Sequence, residues 1–481
     1  MAKTFREELV TLGKTLKGIV LVIVVFALFW GGTILFWRIR NTDPGVGEAV
    51  GWLLLAPLVV LVLLWAVARW RSNRRAAAND KADTPAESPE RPDAEQTSLN
   101  LLAAALRLPA GETPEEALQG LMTPQAPKLH GTLRDAQGLP LFAAPLPLLT
   151  AASLDAVTSE LNRLAGMTLP VEESARRSLA LLLPVFDELL MELAAVLPEQ
   201  EGPTDERVIA GLRHRSSPMR PTPVLVSVTL PAASPSLVPL CEKMMRGRIE
   251  DLGLAVGLNW RFQFEDTRTG TAFWRRLARP DREEQWQLWL AADSLIDPAR
   301  MQTLQKRGAL MTSRTPEGVI PGEGVAGVLL GTGQTGTARM SCRGPYEVTC
   351  QGAESAQTRA RKLAEALRPE QAADHPRPGL LISNADYRAG SFEEAALLAL
   401  SLNPELDASR QLLALGRTGA LEGATPAVML ALVWQALREG HESVAVLFVD
   451  EERGRQVAVF SAARAQQNQT KPSLTAAAEP E

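Results

Sequence analysis

Residues Asp293–Gly331 read DSLIDPARMQTLQKRGALMTSRTPEGVIPGEGVAGVLLG. An Asp-Ser pair opens the stretch, a short helix containing Leu304 follows, and a loop leads to Gly318-Val-Ile-Pro-Gly-Glu-Gly324. That segment runs directly into a small-residue apolar strand, Gly324–Leu330. Its glycines are backbone devices, since without a Cβ they permit tight turns and close approach of neighbouring chain. A short helix, a loop and an apolar strand here begin an alternation of helix and strand signals.

The same alternation extends in both directions. Upstream, Trp286–Ala291 (WQLWLA), Leu258–Phe264 (LNWRFQF, with alternating faces) and Val224–Leu230 (VLVSVTL) are predicted strands. Ser236–Leu252 and Val171–Leu197 are predicted helices, the second of which Pro184 should kink or divide. Leu99–Leu108 reads as a short helix ended by Pro109, Gly111 and Pro114. Downstream, Thr337–Cys342 is expected to pair with Gly324–Leu330, and Ala353–Arg368 is a charged surface helix. Gly379–Ser383 follows as a strand, then helices at Ser391–Leu400 and Ala424–Glu439. A hairpin closes the chain, VAVLFV at Val444–Val449 and QVAVF at Gln456–Phe460, around the turn Asp450–Gly454. Strands separated by helices and closed by an antiparallel pair predict an α/β fold with a mixed sheet.

The N-terminus has another character. Gly18–Trp37 and Ala49–Ala68 are uncharged apolar segments, each long enough to cross a bilayer core of about 30 Å as a helix. Asn41, Asp43, Pro44 and Gly45 supply the turn between them, and Trp30, Trp37, Trp52, Trp65 and Trp70 fall in or beside the spans, as aromatic belts do. Lys3, Arg6, Lys14 and Lys17 precede the first span, Arg38 and Arg40 lie in the loop, and Arg69, Arg71, Arg74, Arg75 and Lys81 follow the second. This bias predicts an inner-membrane hairpin with both termini in the cytoplasm. The expected organisation is a cytoplasmic N-terminus at 1–17, the transmembrane hairpin at 18–68, an acidic Pro-rich linker at 69–98, a cytosolic body at 99–464 and a disordered tail at 465–481.

The 481 residues carry a formal charge of -5. Eleven lysines and arginines against five acids put residues 1–81 at +6, so residues 82–481 carry -11. An acidic body of this kind makes nucleic acid an unsuitable partner. The three cysteines, Cys241, Cys342 and Cys350, form no C-x-x-C or Cys/His ligand cluster, which fits a reduced cytosolic setting and gives no metal site.

Few residues suggest chemistry. Gly331-Thr-Gly-Gln-Thr-Gly336 matches G-x-G-x-x-G, but TARMSC after it reads as a strand rather than a helix N-terminus, so a hairpin turn is preferred to a dinucleotide loop. No Walker lysine and no G-x-S-x-G elbow occur. His130, His214, His375 and His441 are far apart in loops. Glu393 and Glu394 sit at a helix start, where acids favour the positive end of the dipole. Trp260, Trp274, Trp286 and Trp289 are expected core or edge residues. Cys241, within SLVPLCEKMM, is preferred as a buried structural thiol over a nucleophile.

Asp293–Ser461 resembles the β-ketoacyl synthases, of the thiolase-like fold. The likeness is carried by the Asp-Ser opening, by Gly318–Gly324, by Gly379–Glu394 (GLLISNADYRAGSFEE), by Leu415–Ala424 (LGRTGALEGA) and by the closing hairpin. It implies two βαβ-type halves with helices stacked between their sheets, and a homodimer. Members of that family use a Cys at the N-terminus of a buried helix with two histidines. Here the first His position falls within Asn384–Asp386, which holds none, and the second holds Arg417. Neither side chain reproduces a neutral imidazole near pH 7. As a whole, N-terminal hairpin plus cytosolic body, the chain resembles the bacterial type VI secretion lipase adaptor family. That resemblance implies a non-enzymatic adaptor or chaperone recruiting a lipase effector to the secretion spike protein, without cofactor, metal or catalytic residues. The alternatives are a membrane-associated acyl-transfer enzyme using Cys241, or an acyl- or lipid-binding sensor derived from a ketosynthase.

Overall fold

Leu99–Leu108, expected as a short helix, belongs to a strand that joins the two halves of the body. The computed structural model describes residue 30 and residues 97–462 except 124–127, 136, 198–207, 210–211, 214–220, 231–235, 266–270, 279–285, 313, 332–338, 350–353, 368–375, 389, 408–410 and 451–453. The chain divides into Met1–Pro92 and Asp93–Glu481. In the first unit only Trp30, helical and exposed, is described. The predicted transmembrane hairpin, the acidic linker up to Glu95–Gln96 and the C-terminal tail therefore lie outside the described residues. Among the described residues, no helix is long and apolar enough to cross a membrane.

The second unit begins with β1 (Thr97–Arg107), α1 (Pro114–Met122), the hairpin β2 (Leu129–Arg134) and β3 (Pro140–Phe142), α2 (Ala151–Ala165) and α3 (Glu173–Val196). There follow the short pair β4 (Val208–Ile209) and β5 (Leu212–Arg213), then β6 (Thr222–Thr229), α4 (Val238–Asp251), β7 (Leu258–Glu265) and α5 (Thr271–Ala278). β8 (Trp286–Ser294), α6 (Pro298–Lys306) and β9 (Glu323–Gly331) complete the first half. The second half comprises β10 (Arg339–Val348), α7 (Ala356–Leu367), β11 (Leu380–Ser383), α8 (Ser391–Leu402), β12 (Leu412–Ala414), a 3-10 turn at Leu415–Arg417, α9 (Thr425–Arg438), β13 (Ser443–Asp450) and β14 (Gly454–Ala462).

The main sheet has ten strands in the order β12-β11-β13-β14-β10-β1-β9-β8-β6-β7. Cut between β10 and β1, it becomes the same arrangement twice. Counting strands within each half, the order is third, second, fourth, fifth, first in both. The pairings repeat as well: β6 is parallel to β7 and β8 as β11 is to β12 and β13, whereas β9 and β14 run antiparallel to both neighbours. The two halves implied by the thiolase-like resemblance are thus present in a mixed α/β body.

Strand periodicity divides most of the described apolar residues into three cores, beside a small cluster of Leu141, Met301 and Leu310. Trp289, Ala291, Ala326, Val328, Leu380, Ile382, Val444, Val446 and Phe460 face a central core filled by α9 and by Trp274 of α5. Their neighbours Leu288, Leu290, Val325 and Leu329 face the opposite way onto α2, α3 and α4. In the second half Leu381, Ala445, Leu447, Val457 and Val459 do the same onto α7 and α8. Strands buried on both faces read as continuous apolar runs, and β8 and β13 do so. The order of layers is helices, half-sheet, central helices, half-sheet, helices. α9 is buried from Thr425 to Ala436 because apolar side chains on every side of it meet a neighbour.

Three expectations require correction. β1 has the Leu and Ala content of a helix, but period-two burial and pairing on both edges outweigh propensity. Its residues Thr97–Asn100 pair with β10 and Leu101–Arg107 with β9. A bulge between Leu101 and Ala103 exchanges its faces, so Leu99 and Leu101 enter the central core while Ala103 and Ala105 enter an outer one. Second, β9 and β10 are not partners, because β1 lies between them. Third, Pro184 lies inside α3 without dividing it. Its position is exposed, so the missing N–H and the ring fall on the solvent side.

Candidate functional site

The site singled out by sequence lies at the C-terminal ends of β11 and β12. β11 ends at Ser383, and Asn384 immediately closes a two-way bridge: its Nδ2 donates to the Val449 carbonyl at 2.8 Å, and Val449 N–H donates to its Oδ1 at 2.8 Å. A side-chain amide here imitates a strand residue and ties the loop to the end of β13. Ala385 is fully buried. Asp386, also buried, accepts Arg388 N–H at 2.9 Å and Arg388 Nε at 2.7 Å. These are the residues at the first His position, and each is committed to holding the loop.

The second His position is equally occupied. Gly416 has to be glycine, since a Cβ there would fall 2.7 Å from Asp386 Cβ and 2.8 Å from the Ala385 carbonyl oxygen. This close approach places Arg417 beside the first loop. Its guanidinium carbon lies over the Tyr387 ring and over the Phe392 ring, 4.8 Å from each centroid. Two such cation–π contacts hold the charge at this place.

Glu394, read by sequence as a helix-start acid, has a different task. It is buried and accepts from both Arg359 of α7 and Arg455 of β14. Glu393 is exposed in the first turn of α8, as the dipole reading expects.

Cys241 is not brought to this place. It lies on α4, in the outer core of the first half with α2 and α3. Burial pushes its thiol up to about 12, although it stands in the first turn of a helix, where the dipole favours the thiolate. Cys342 of β10 is in the central core, and burial raises its pKa as well. Cys350 lies outside the described residues. Iodoacetamide at pH 8 is accordingly expected to leave Cys241 and Cys342 unmodified in the native protein, with a thiolate fraction of about one in ten thousand for Cys241. All three cysteines should react in guanidinium. Peptide mapping reads the result, and rapid native labelling of Cys241 would return it to contention as a nucleophile.

The remaining candidates are dispersed. His130 accepts Leu133 N–H at 3.1 Å at the start of the β2–β3 hairpin, His441 lies between α9 and β13, and His214 and His375 fall outside the described residues. Trp260, Trp274, Trp286 and Trp289 are all buried. Thr332–Gly336 of the glycine motif is outside the described residues. Among the described residues, no group of three or more His, Cys, Asp or Glu is placed to hold a metal ion.

Sequence reasoning missed two buried carboxylate networks in the stretch quoted first. Glu323 accepts Arg177 Nε and Nη2, both at 2.7 Å, Ser294 Oγ at 3.0 Å and Leu146 N–H at 2.7 Å. Burial works against the Arg177 charge, and the Glu323 pair outweighs it, leaving that guanidinium above its ordinary pKa. Asp293 accepts Arg300 Nη1 at 2.6 Å and the N–H groups of Glu422 and Gly423 at 2.9 and 3.0 Å. The segment entering α9 is thereby tied to the end of β8. A glutamate in an apolar setting was the available signal for Glu323. Nothing local pointed to its partners.

No known protein family's sequence profile matches the chain, and no curated protein does. Solved structures do match. An ishigamide ketosynthase/chain length factor is 14% identical over 76% of this chain and 99% of that one, with a TM-score of 0.47. A beta-ketoacyl synthase from Burkholderia phymatum STM815 is 12% identical over 77% of this chain and 100% of its own, with a TM-score of 0.47. The ketosynthase from module 6 of the bacillaene synthase of Bacillus subtilis 168 is 11% identical over 76% of this chain and 72% of that chain, with a TM-score of 0.44.

Proposed function

We propose that this chain is a non-enzymatic adaptor, anchored by its N-terminal hairpin in a bacterial inner membrane, whose cytosolic body brings a lipase effector to a type VI secretion spike protein. One observation carries the non-enzymatic part. Both positions where the ketosynthase resemblance requires imidazoles are held by side chains with structural duties, Asn384 bridging to Val449 and Arg417 in contact with the Tyr387 and Phe392 rings. The buried, proton-retaining Cys241 supports the same reading. A scaffold kept without its acid–base groups is suited to presenting surface. The effector, the spike and the membrane come from the whole-chain resemblance, and a homodimer is proposed by analogy with thiolase-like folds.

The test is affinity purification of the tagged full-length protein from its native cell in mild detergent, with co-purifying proteins identified by mass spectrometry. A lipase-like effector recovered with a secretion spike is the expected outcome. Acyl-carrier protein and lipid-synthesis enzymes in their place would overturn the proposal in favour of acyl chemistry.

A further inference from the structure

Arg417 differs from the other half-buried arginines of the body. Arg107, Arg177, Arg276, Arg300, Arg359 and Arg455 each pair with a carboxylate. Arg417 stacks on two rings, and among the described residues no acceptor takes its N–H groups. A suitable acid is next to it: Asp386 packs against Gly416, the preceding residue. Yet both Asp386 oxygens are used by Arg388, at 2.9 Å from its N–H and at 2.7 Å from its Nε. A strongly basic group is therefore held against two aromatic rings and left with its N–H donors to satisfy.

The place in the fold is equally specific. The loops after β11 and β12 meet where β11 has a parallel neighbour on each side, β12 and β13. In open α/β sheets the crevice beyond the carboxyl ends of such strands is where ligands bind. A guanidinium held by two rings still offers its two-pronged donor edge, which matches the paired oxygens of a carboxylate or phosphate. Little side-chain freedom remains to be lost on binding.

We propose that Arg417, clamped by Tyr387 and Phe392, is the receiving group of an oxyanion site, taking a carboxylate or phosphate edge-on. This does not depend on the adaptor reading, since the oxyanion belongs either to a free small molecule or to a side chain of a bound protein.

Inorganic phosphate and succinate are titrated by calorimetry, at constant ionic strength, into full-length protein in mild detergent. The wild type, Arg417→Gln and Arg417→Lys are compared, with near-ultraviolet circular dichroism confirming the fold of each. Saturable binding of at least one anion is expected, weakened about tenfold or more by Gln and partly restored by Lys, which keeps charge but not the fork. If Arg417→Gln does not fold, the Lys variant carries the comparison. In a second arm the same anions are added during affinity purification. Release of a co-purified protein assigns the oxyanion to that partner, and retention with saturable anion binding assigns it to a small molecule. Equal anion binding by wild type and Arg417→Gln overturns the proposal. So does the absence of saturable binding together with an unchanged set of co-purifying proteins.

Discussion

Glu323→Ala is expected to lower folding stability by about 3–5 kcal/mol, because it takes from the half-buried Arg177 charge its closest partner, leaving Glu173 at 3.6 Å, and unpairs a buried hydroxyl and amide as well. The carboxylate is inaccessible to solvent and accepts from Arg177, Ser294 and Leu146 N–H at once. Removing it takes the acceptor from four donor groups on three separate segments. Unfolding in urea, followed by tryptophan fluorescence on the full-length protein, should show a lower midpoint at nearly unchanged slope. Replacing both partners, Glu323→Leu with Arg177→Met, should recover much of the loss, since a buried pair exchanged for apolar groups is often neutral. A single variant within about 1 kcal/mol of wild type would mean that the network contributes packing alone.

Gly322→Ala is the second large effect, at about 3 kcal/mol or more. A Cβ at residue 322 would stand 2.7 Å from both Cα and the carbonyl carbon of Gly419. The obstruction is main chain, so no side chain can rotate out of the way. Gly419 has a φ of +139°, which the loop relies on to come so near. The two loops also exchange hydrogen bonds, Ala420 N–H donating to the Ile320 carbonyl at 2.8 Å and Gly322 N–H to the Ala420 carbonyl at 3.2 Å. Separating them breaks that pairing and displaces the entry to α9. A fall in Tm of about 5 °C or more is expected, with faster amide exchange confined first to residues 319–323 and 419–424. An unchanged Tm would show that the loops yield without cost.

Gly322 was recognisable from the bare sequence as a place that favours close approach of main chain, because it stands in the glycine- and proline-rich run Gly318–Gly324 beside an apolar strand. The strands at Val224, Leu258, Trp286 and Val444 were legible for a similar reason, as β-branched and aromatic runs bounded by turn residues. Beyond that, legibility ended where partners are remote. Arg177 meets Glu323 across 146 positions, and no local pattern encodes the meeting. The same limit produced the error at β9 and β10, where two strands consecutive in sequence are separated in the sheet by one from the start of the body. At the candidate site, the turn carrying Arg417 could be located from Leu415–Ala424. The two rings it contacts could not, since such contacts are settled by how two loops approach each other.

β1 also sets a problem of timing during synthesis. It leaves the ribosome first among the strands of the sheet, yet its partners β9 and β10 are encoded more than 200 residues later. At roughly 5–20 residues per second, translation keeps β1 waiting on the order of 10–40 s for either edge to be paired. Throughout that interval LNLLAAAL is an apolar strand with both edges open, the condition most prone to wrong pairing. The half-sheets cannot join until β9 and β10 have both emerged, so a nascent chain stalled before Glu323 would expose β1 to holdase chaperones, and one released after Val348 would not.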